Sequence, residues 1–339
     1  MDAALIALLG DGDIGRWSRF TLQPEAFLWR QHADADGVAW LASGTLDVVA
    51  GGAAIGTLAA PALVGEAGGL LGGVHGVGLR AQGPCEVHRL DALGVARLRS
   101  TDAPAYARLL DVALEALATR VRSADRDIAE RVRGELKAPR RVHAKPSLWS
   151  RITSAGRGKP APLLPALRRL PRLENASLDV LEQIFDRATP RYVPRGQALT
   201  LEGDAGREAW ILASGRLQVL RHIGFQSARR LAWLNPGALL GVAGLLTVGP
   251  RTASIVASEP SWVYAIGPEG HEALDGDARR VWRESLLASL AAQIRGADRI
   301  LAESARVAGG PSLSRHATVE LPALLDAAGQ LVATDSEGS

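Results

Sequence analysis

Two stretches of the chain hold residues able to bind an anion. In "LLGVAGLLTVGPRTAS", residues 239–254, Gly241 opens a turn that ends on Pro250-Arg251-Thr252-Ala253. Arg251 offers a permanent charge and a fork of N–H donors, with the Thr252 hydroxyl and the backbone amides beside it. In "LVGEAGGLLGGVHGVGLRA", residues 63–81, Gly65-Glu66 is followed nine residues later by His75. Val242 and Arg251 are separated by the same nine residues. His75, with an ordinary pKa near ~6.5, is largely neutral at pH 7 unless a bound anion raises it. Plainer roles compete with these. Arg251 serves equally as a surface arginine paired with a local acid, and Glu66 as a carboxylate capping a short helix beside Gly65.

Catalytic chemistry finds little support in the residue patterns. The seven histidines are scattered without metal-ligand spacing. "SAGRGKPA" lacks the leading glycine and the hydroxyl residue after Lys159 that a phosphate loop needs, and "GDGDIG" falls far short of a calcium loop. No motif places a Ser, His and Asp together. The expectation is a protein that is not an enzyme.

The elements that position these residues come in two copies. "WLASGTLDVV" at 40–49 matches "ILASGRLQVL" at 211–220, an offset of 171, and further on Gly65, Glu66, His75 and Ala81 meet Gly241, Val242, Arg251 and Ala257 at an offset of 176. A longer hairpin around "RHIGFQSARRLAWL" in the second copy accounts for the difference. Within each copy short alternating runs are cut by glycine and proline. In the second these are "RYVPRGQALTLEGD", "EAWILASGRLQVLR", "ARRLAWLN", "TASIVAS" and "SWVYAIG". Pro194-Arg195-Gly196, Gly203-Asp204 and Asn235-Pro236-Gly237 supply turns. Short strands at this spacing predict a sandwich or jelly-roll barrel. Each copy then runs into a long helix. Over 104–132 Leu110, Leu114, Leu117, Val121, Ala124 and Ile128 recur at alternating steps of four and three, and over 277–305 Leu287, Leu290, Ile294, Ala297 and Leu301 do the same. Such a seam packs on another helix or on its own barrel.

The 339 residues suffice for two or three domains, and 47% hydrophobic with 22% charged content describes a chain that buries sizeable cores. A net charge of +3 does not by itself imply a nucleic-acid partner. The basic residues cluster instead between the copies, where 131–173 holds twelve Lys or Arg against one Glu, interrupted by six prolines from Pro139 to Pro171. That composition predicts a solvated linker, with contact to phosphates, to a membrane interface through Trp149, or to an acidic protein as the alternatives. The one cysteine, Cys85, excludes an intrachain disulfide framework and fits a reducing, cytoplasmic setting. The start reads as an ordinary helix rather than a signal peptide, and no apolar run is long enough for a membrane span.

Both copies resemble the cyclic-nucleotide-binding domain of catabolite-activator-type regulators and of regulatory subunits of cyclic-AMP-dependent kinase. The resemblance covers roughly 15–135 and 165–306. It rests on "PRGQALTLEGD…AWILASGRLQV", "LNPGALLG" and "LLTVGPRTASIVA" in the second copy, and the first is recognised mainly through the second. It implies a mainly β fold with α: two jelly-roll (double-stranded β-helix) barrels, each followed by a long C-terminal helix. In the family a Gly-Glu turn, a short helix and an Arg hold the cyclic phosphate and the ribose 2′-hydroxyl, and the helix behind the barrel closes over the base.

Neither copy keeps both halves of that site. The candidate ligand residues are Gly241, Arg251, Thr252 and Ala253 in the second copy, and more weakly Gly65, Glu66 and His75 in the first. Val242 in place of the acid removes a charge-assisted hydrogen bond worth ~1.5–3 kcal/mol, about ten- to a few-hundred-fold in affinity. In the first copy the phosphate countercharge itself is gone. The resulting layout is a first degenerate domain at 1–135, a basic linker at 136–164, a second domain at 165–306 and a tail at 307–339 with a short helix possible at 320–331. The 33 residues after 306 are too few for a winged helix-turn-helix, so no sequence-specific DNA reading is expected. The expected function is a regulatory or scaffold protein with impaired ligand sites. Its partner would be another protein, and helices 104–132 and 277–305 would pair within or between chains. The alternatives are an active cAMP or cGMP sensor acting through the second domain, and a transcription-regulator relative touching DNA through the linker. A sensor requires Arg251 to face an open pocket, whereas a scaffold lets Val242 and its neighbours fill it.

Overall fold

The repeated "LASG" turns a corner that only glycine fits. Gly44 and Gly215 have φ of +96° and +86°, a region disfavoured for residues with a Cβ. A Cβ on Gly44 would lie 2.6 Å from Cys85 Sγ, and one on Gly215 would collide with the Pro260 carbonyl oxygen. Each corner joins two strands that then diverge into opposite sheets. The computed structural model describes residues 17–133, 159–222, 227–307 and 318–320.

In the first copy the strands are β1 (Ser18–Leu22), β2 (Phe27–Trp29), β3 (Gly37–Ser43), β4 (Thr45–Ala50), β5 (Ala53–Ala59), β6 (Ala62–Val64), β7 (Gly78–Ala81) and β8 (Cys85–Asp91). They form two antiparallel sheets, ordered β1-β8-β3-β6 and β2-β7-β4-β5. A short helix α1 (Glu66–Leu71) lies between β6 and β7, and α2 (Ala92–Thr101) and α3 (Ala103–Arg133) follow β8. Asp91 caps α2 by accepting from the Gly94 amide at 2.7 Å.

The second copy begins with α4 (Leu164–Leu167) and α5 (Leu178–Asp186), the latter capped by Ser177. Its strands are β9 (Thr189–Val193), β10 (Ala198–Thr200), β11 (Ala209–Ser214), β12 (Leu217–His222), β13 (Ser227–Leu234), β14 (Leu239–Leu240), β15 (Ser254–Ala257) and β16 (Ser261–Ile266). Helices α6 (Val242–Leu246), α7 (Pro268–Glu272) and α8 (Gly276–Val307) complete it, with a strand β17 (Thr318–Glu320) on the outer edge of β13. The sheets run β9-β16-β11-β14 and β10-β15-β12-β13-β17. Apart from β17, every strand has the neighbours of the strand eight places earlier. The repeat is therefore a repeat of topology, two jelly rolls of one design.

The cores repeat as well. Leu41, Leu46, Val64, Ala81 and Val87 fill the first barrel, and their counterparts Leu212, Leu217, Leu240, Ala257 and Val263 fill the second. The stretch read as one strand, "RYVPRGQALTLEGD", is divided into β9 and β10 at Pro194-Arg195-Gly196, because the Gln197 amide bonds back to the Pro194 carbonyl at 3.0 Å and closes a turn. Residues 134–158, which hold most of the basic stretch and Trp149, lie outside the described residues, as do 321–339 and with them most of the helix expected at 320–331. Among the described residues no helix is long and apolar enough to cross a membrane.

The two long helices extend slightly beyond their expected bounds. All six seam residues of α3 are buried, as are Leu287, Leu290, Ala297 and Leu301 of α8, while Ile294 is half-buried. Among the described residues, one compact unit takes those up to Ala124 together with α8 from Leu286, and the other takes those from Asp125 to Ser285 and β17. Inside the first unit Arg306 of α8 donates to the Gly51 carbonyl at 2.8 Å, and the Arg295 stem covers Gly76, where a Cβ would stand 3.2 Å from Arg295 Cγ. The distal part of α8 is thus packed into the unit that holds the first barrel. Leu290 has no exposed surface, and Leu290→Asp would bury an unpaired charge at a cost of about 3 kcal/mol or more. The expected outcome is a lower melting temperature with an unchanged mass in light scattering. A halved mass without loss of stability would assign this face to a contact between chains.

Candidate functional site

The two anion-type turns have the same backbone. Gly65 and Gly241 precede α1 and α6 with φ of +77° and +74°, the left-handed conformation that swings the chain from β6 or β14 into a helix. What surrounds each backbone differs from what spacing alone suggested.

In the second turn Val242 is fully buried, and Arg251 keeps only 7% of its surface exposed. The guanidinium turns inward under α6. Nη2 donates to the Glu208 carbonyl at 2.8 Å and Nη1 to the Gly241 carbonyl at 3.3 Å, while Cζ lies 4.2 Å from the centre of the Trp210 ring. Two charge-assisted hydrogen bonds and a desolvated cation–π contact offset the cost of burying the charge. Three glycines make room for it. A Cβ on Gly241 would lie 2.9 Å from Nη1, one on Gly206 3.1 Å from Nη2, and one on Gly244 would collide with Nη1. Arg251 is therefore not a surface residue; carbonyls and an indole are among its partners. Its own backbone is tied to the opposite loop, with the Arg251 amide donating to Asp204 O and the Gly203 amide to Arg251 O, each at 2.9 Å. Thr252 and Ala253 are half-buried beside it. The next residue, Ser254, is buried and accepts from the Glu202 amide at 2.9 Å through its hydroxyl.

In the first turn Glu66 is 1% exposed and makes no helix cap. Its Oε1 pairs with Arg120 Nη2 of α3 at 2.7 Å, and the same nitrogen donates to the Leu63 carbonyl at 2.8 Å. Asp298 of α8 also faces Arg120; burial raises its carboxyl to about 6 against the pull of that guanidinium. His75 is 3% exposed and stacks flat on Trp29, centroids 4.1 Å apart and planes 4° apart. Its Nε2 is 3.9 Å from Asp36, a carboxylate held also by Arg89. Burial lowers the His75 pKa below its ordinary value, with Asp36 opposing and Arg89 assisting, so the ring is neutral at pH 7 as its type predicted. The indole of Trp29 also lies against the turn, where a Cβ on Gly65 would come within 2.6 Å of it.

The structure thus gathers Gly65 and His75 around Trp29, ties Glu66 to Arg120, and gathers Gly241 and Arg251 around Trp210. Sequence reasoning found the first member of each group and missed Trp29, Trp210 and Arg120. The tryptophans sit on other strands and Arg120 on the following helix, so no local spacing links them to the turns. The only available signal was their type: an indole at a core position, and an arginine one place from the α3 seam. Among the described residues no cluster of His, Cys, Asp and Glu could hold a metal ion.

Residues 190–274 match the family model of the cyclic nucleotide-binding domain. The chain is 38% identical over 109 residues to the Cyclic AMP receptor protein of Thermus thermophilus, which is 32% of this chain and 50% of that protein. It is 34% identical over 85 residues to Acetyltransferase Pat of Mycolicibacterium smegmatis, 24% of this chain and 25% of that one. The chain therefore spans half the length of the first relative and a quarter of the second. Among solved structures, the catabolite activator protein of Thermus thermophilus is similar with a TM-score of 0.35 and 33% identity, over 38% of this chain and 60% of that chain. The regulatory domain of Toxoplasma gondii PKA with cAMP has a TM-score of 0.31 and 13% identity, over 83% and 96%. The family match thus falls on the second barrel, and the first barrel repeats the strand order of the second.

The buried contacts of Glu66 and Asp298 have measurable consequences. Arg120→Ala leaves the Glu66 carboxylate buried without its partner and is expected to destabilise by about 3–5 kcal/mol. Adding Glu66→Gln should recover most of that loss in a denaturant titration. Asp298 is raised in the fold relative to the unfolded chain, so its contribution is fully present below about pH 4 and is lost as pH rises through about 6. Asp298→Asn should therefore melt above the unsubstituted protein at pH 7.5 and together with it at pH 4.

Proposed function

We propose that this protein is a non-enzymatic regulatory or scaffold protein whose two cyclic-nucleotide-binding-type barrels hold their shape without a bound nucleotide. The observation that carries this reading is the position of Arg251. The one side chain of the second turn able to neutralise a cyclic phosphate is folded inward onto the Gly241 and Glu208 carbonyls and the Trp210 ring. A ligand phosphate would have to displace all three contacts, and no carboxylate stands at position 242 to repay that cost through a ribose hydroxyl. In the first turn the acid is present, but the chain's own Arg120 holds it.

Two closed turns fit a protein that presents its barrel and helix surfaces at all times. The partner that reads those surfaces is another protein on this reading. The segment shared with the Cyclic AMP receptor protein is half of that protein and the segment shared with Acetyltransferase Pat a quarter of that one, so the reading takes no activity of the whole relatives.

Calorimetric titration with cAMP and cGMP tests the reading, with Arg251→Ala alongside. At protein concentrations of tens of micromolar, the expected result is no binding heat from either nucleotide and a lower melting temperature for the variant, which removes the arginine's hydrogen bonds to the Gly241 and Glu208 carbonyls. Micromolar binding that disappears in Arg251→Ala would overturn it and make the second barrel an active sensor.

A further inference from the structure

Each barrel places an indole between the glycine that opens its turn and the residue ten positions after that glycine. In the first, Trp29 of β2 lies against Gly65 and stacks on His75 at 4.1 Å. In the second, Trp210 of β11 lies against Gly241, where a Cβ would stand 2.8 Å from the ring, and carries the Arg251 guanidinium at 4.2 Å. These tryptophans are not the same residue inherited twice. At the repeat offset of 171, Trp29 aligns with Thr200 and Trp210 with Ala39. A duplicated domain carries its residues at equivalent positions unless they change afterwards. Here the two copies share the filled contact and differ in the strand that supplies it. The feature held in common is an aromatic face applied to the side chain at the turn's basic position.

The chemistry of the contact gives it a consequence. A guanidinium over an indole gains most when both are desolvated, and the Trp210 side chain is almost wholly buried in the second core. An anion that recruits Arg251 must lift it off that face and away from two carbonyls. The ring therefore sets how readily Arg251 can leave.

We propose that Trp210 is a positioning residue that clamps Arg251 out of anion-binding service. This rests on the functional reading above and supplies its cause: the second turn refuses a phosphate because its arginine is already engaged by the ring. Removing the ring releases Arg251 and creates anion affinity.

The test compares the full chain with Trp210→Leu, Trp210→Phe and the double variant Trp210→Leu/Arg251→Ala, titrated with cAMP and with inorganic phosphate. Circular dichroism and thermal melting establish that each is folded. Trp210→Leu should bind cAMP about 10- to 30-fold tighter than the unsubstituted chain, a factor that corresponds to about 1.4–2 kcal/mol for one desolvated cation–π contact. The gain should vanish in the double variant, which a merely structural role for the ring would not require. Trp210→Phe keeps a poorer π face and more core volume. It should show a smaller gain, and it decides the matter if the leucine variant does not fold. A folded variant that binds no tighter than the parent, or a gain that survives loss of Arg251, overturns the clamp. Micromolar binding by the parent would overturn the functional reading instead, and the clamp would still stand or fall on the ratio between variant and parent.

Discussion

A charged side chain inside a barrel must find partners there, and the second turn is arranged around that requirement. Arg251 enters a space that exists because Gly206, Gly241 and Gly244 lack side chains. It is held by two carbonyls and an indole. Gly241 serves twice, since its left-handed backbone starts α6 and its carbonyl accepts from the arginine. The carbonyl also accepts from the Gly244 and Leu245 amides. Moving the guanidinium would thus loosen the contacts at the start of α6, so the arginine and the helix are parts of one packed unit.

The first turn meets a related requirement with different residues. Its buried charge is the carboxylate of Glu66, and the balancing guanidinium comes from α3. A lone buried carboxylate costs several kcal/mol, and that cost makes the Arg120 pair an anchor for the helix behind the barrel. His75 carries no charge to be balanced at neutral pH, so stacking on Trp29 suffices. The two barrels have the same strand order and close their turns by opposite electrostatic arrangements.

How far the sequence disclosed this depends on whether a feature is local. The glycines of "LASG", the β-type runs and the two turn glycines act through their own backbone and the adjacent corner, and they were legible. So was the apolar seam of α3, because helical spacing records a buried face directly. What covers such a face is not written in its period. Leu290 looks the same whether its neighbour is a barrel, a helix or a second chain, and only the fold places the distal part of α8 in the unit with Gly51 and Gly76. The site was half legible for the same reason. Spacing identified Arg251 and His75, but a side chain's direction is set by what lies across the barrel. Trp210 and Trp29 reach the turns from strands far away in sequence, and Arg120 from a helix further on.

Helix α8 is held by long-range contacts of the same kind. Near its start Trp282 is fully buried and donates through Nε1 to His271 Nδ1 at 3.1 Å. Burial, with Arg283 and Arg279 close by, holds His271 down at a pKa of about 4, so it stays a neutral acceptor through the neutral range and that root is fixed. Further along, Asp298 faces Arg120 and Arg306 holds the Gly51 carbonyl. Within the first unit, a change at Asp298 would therefore alter the surroundings of Arg120, and through it the pair that holds Glu66.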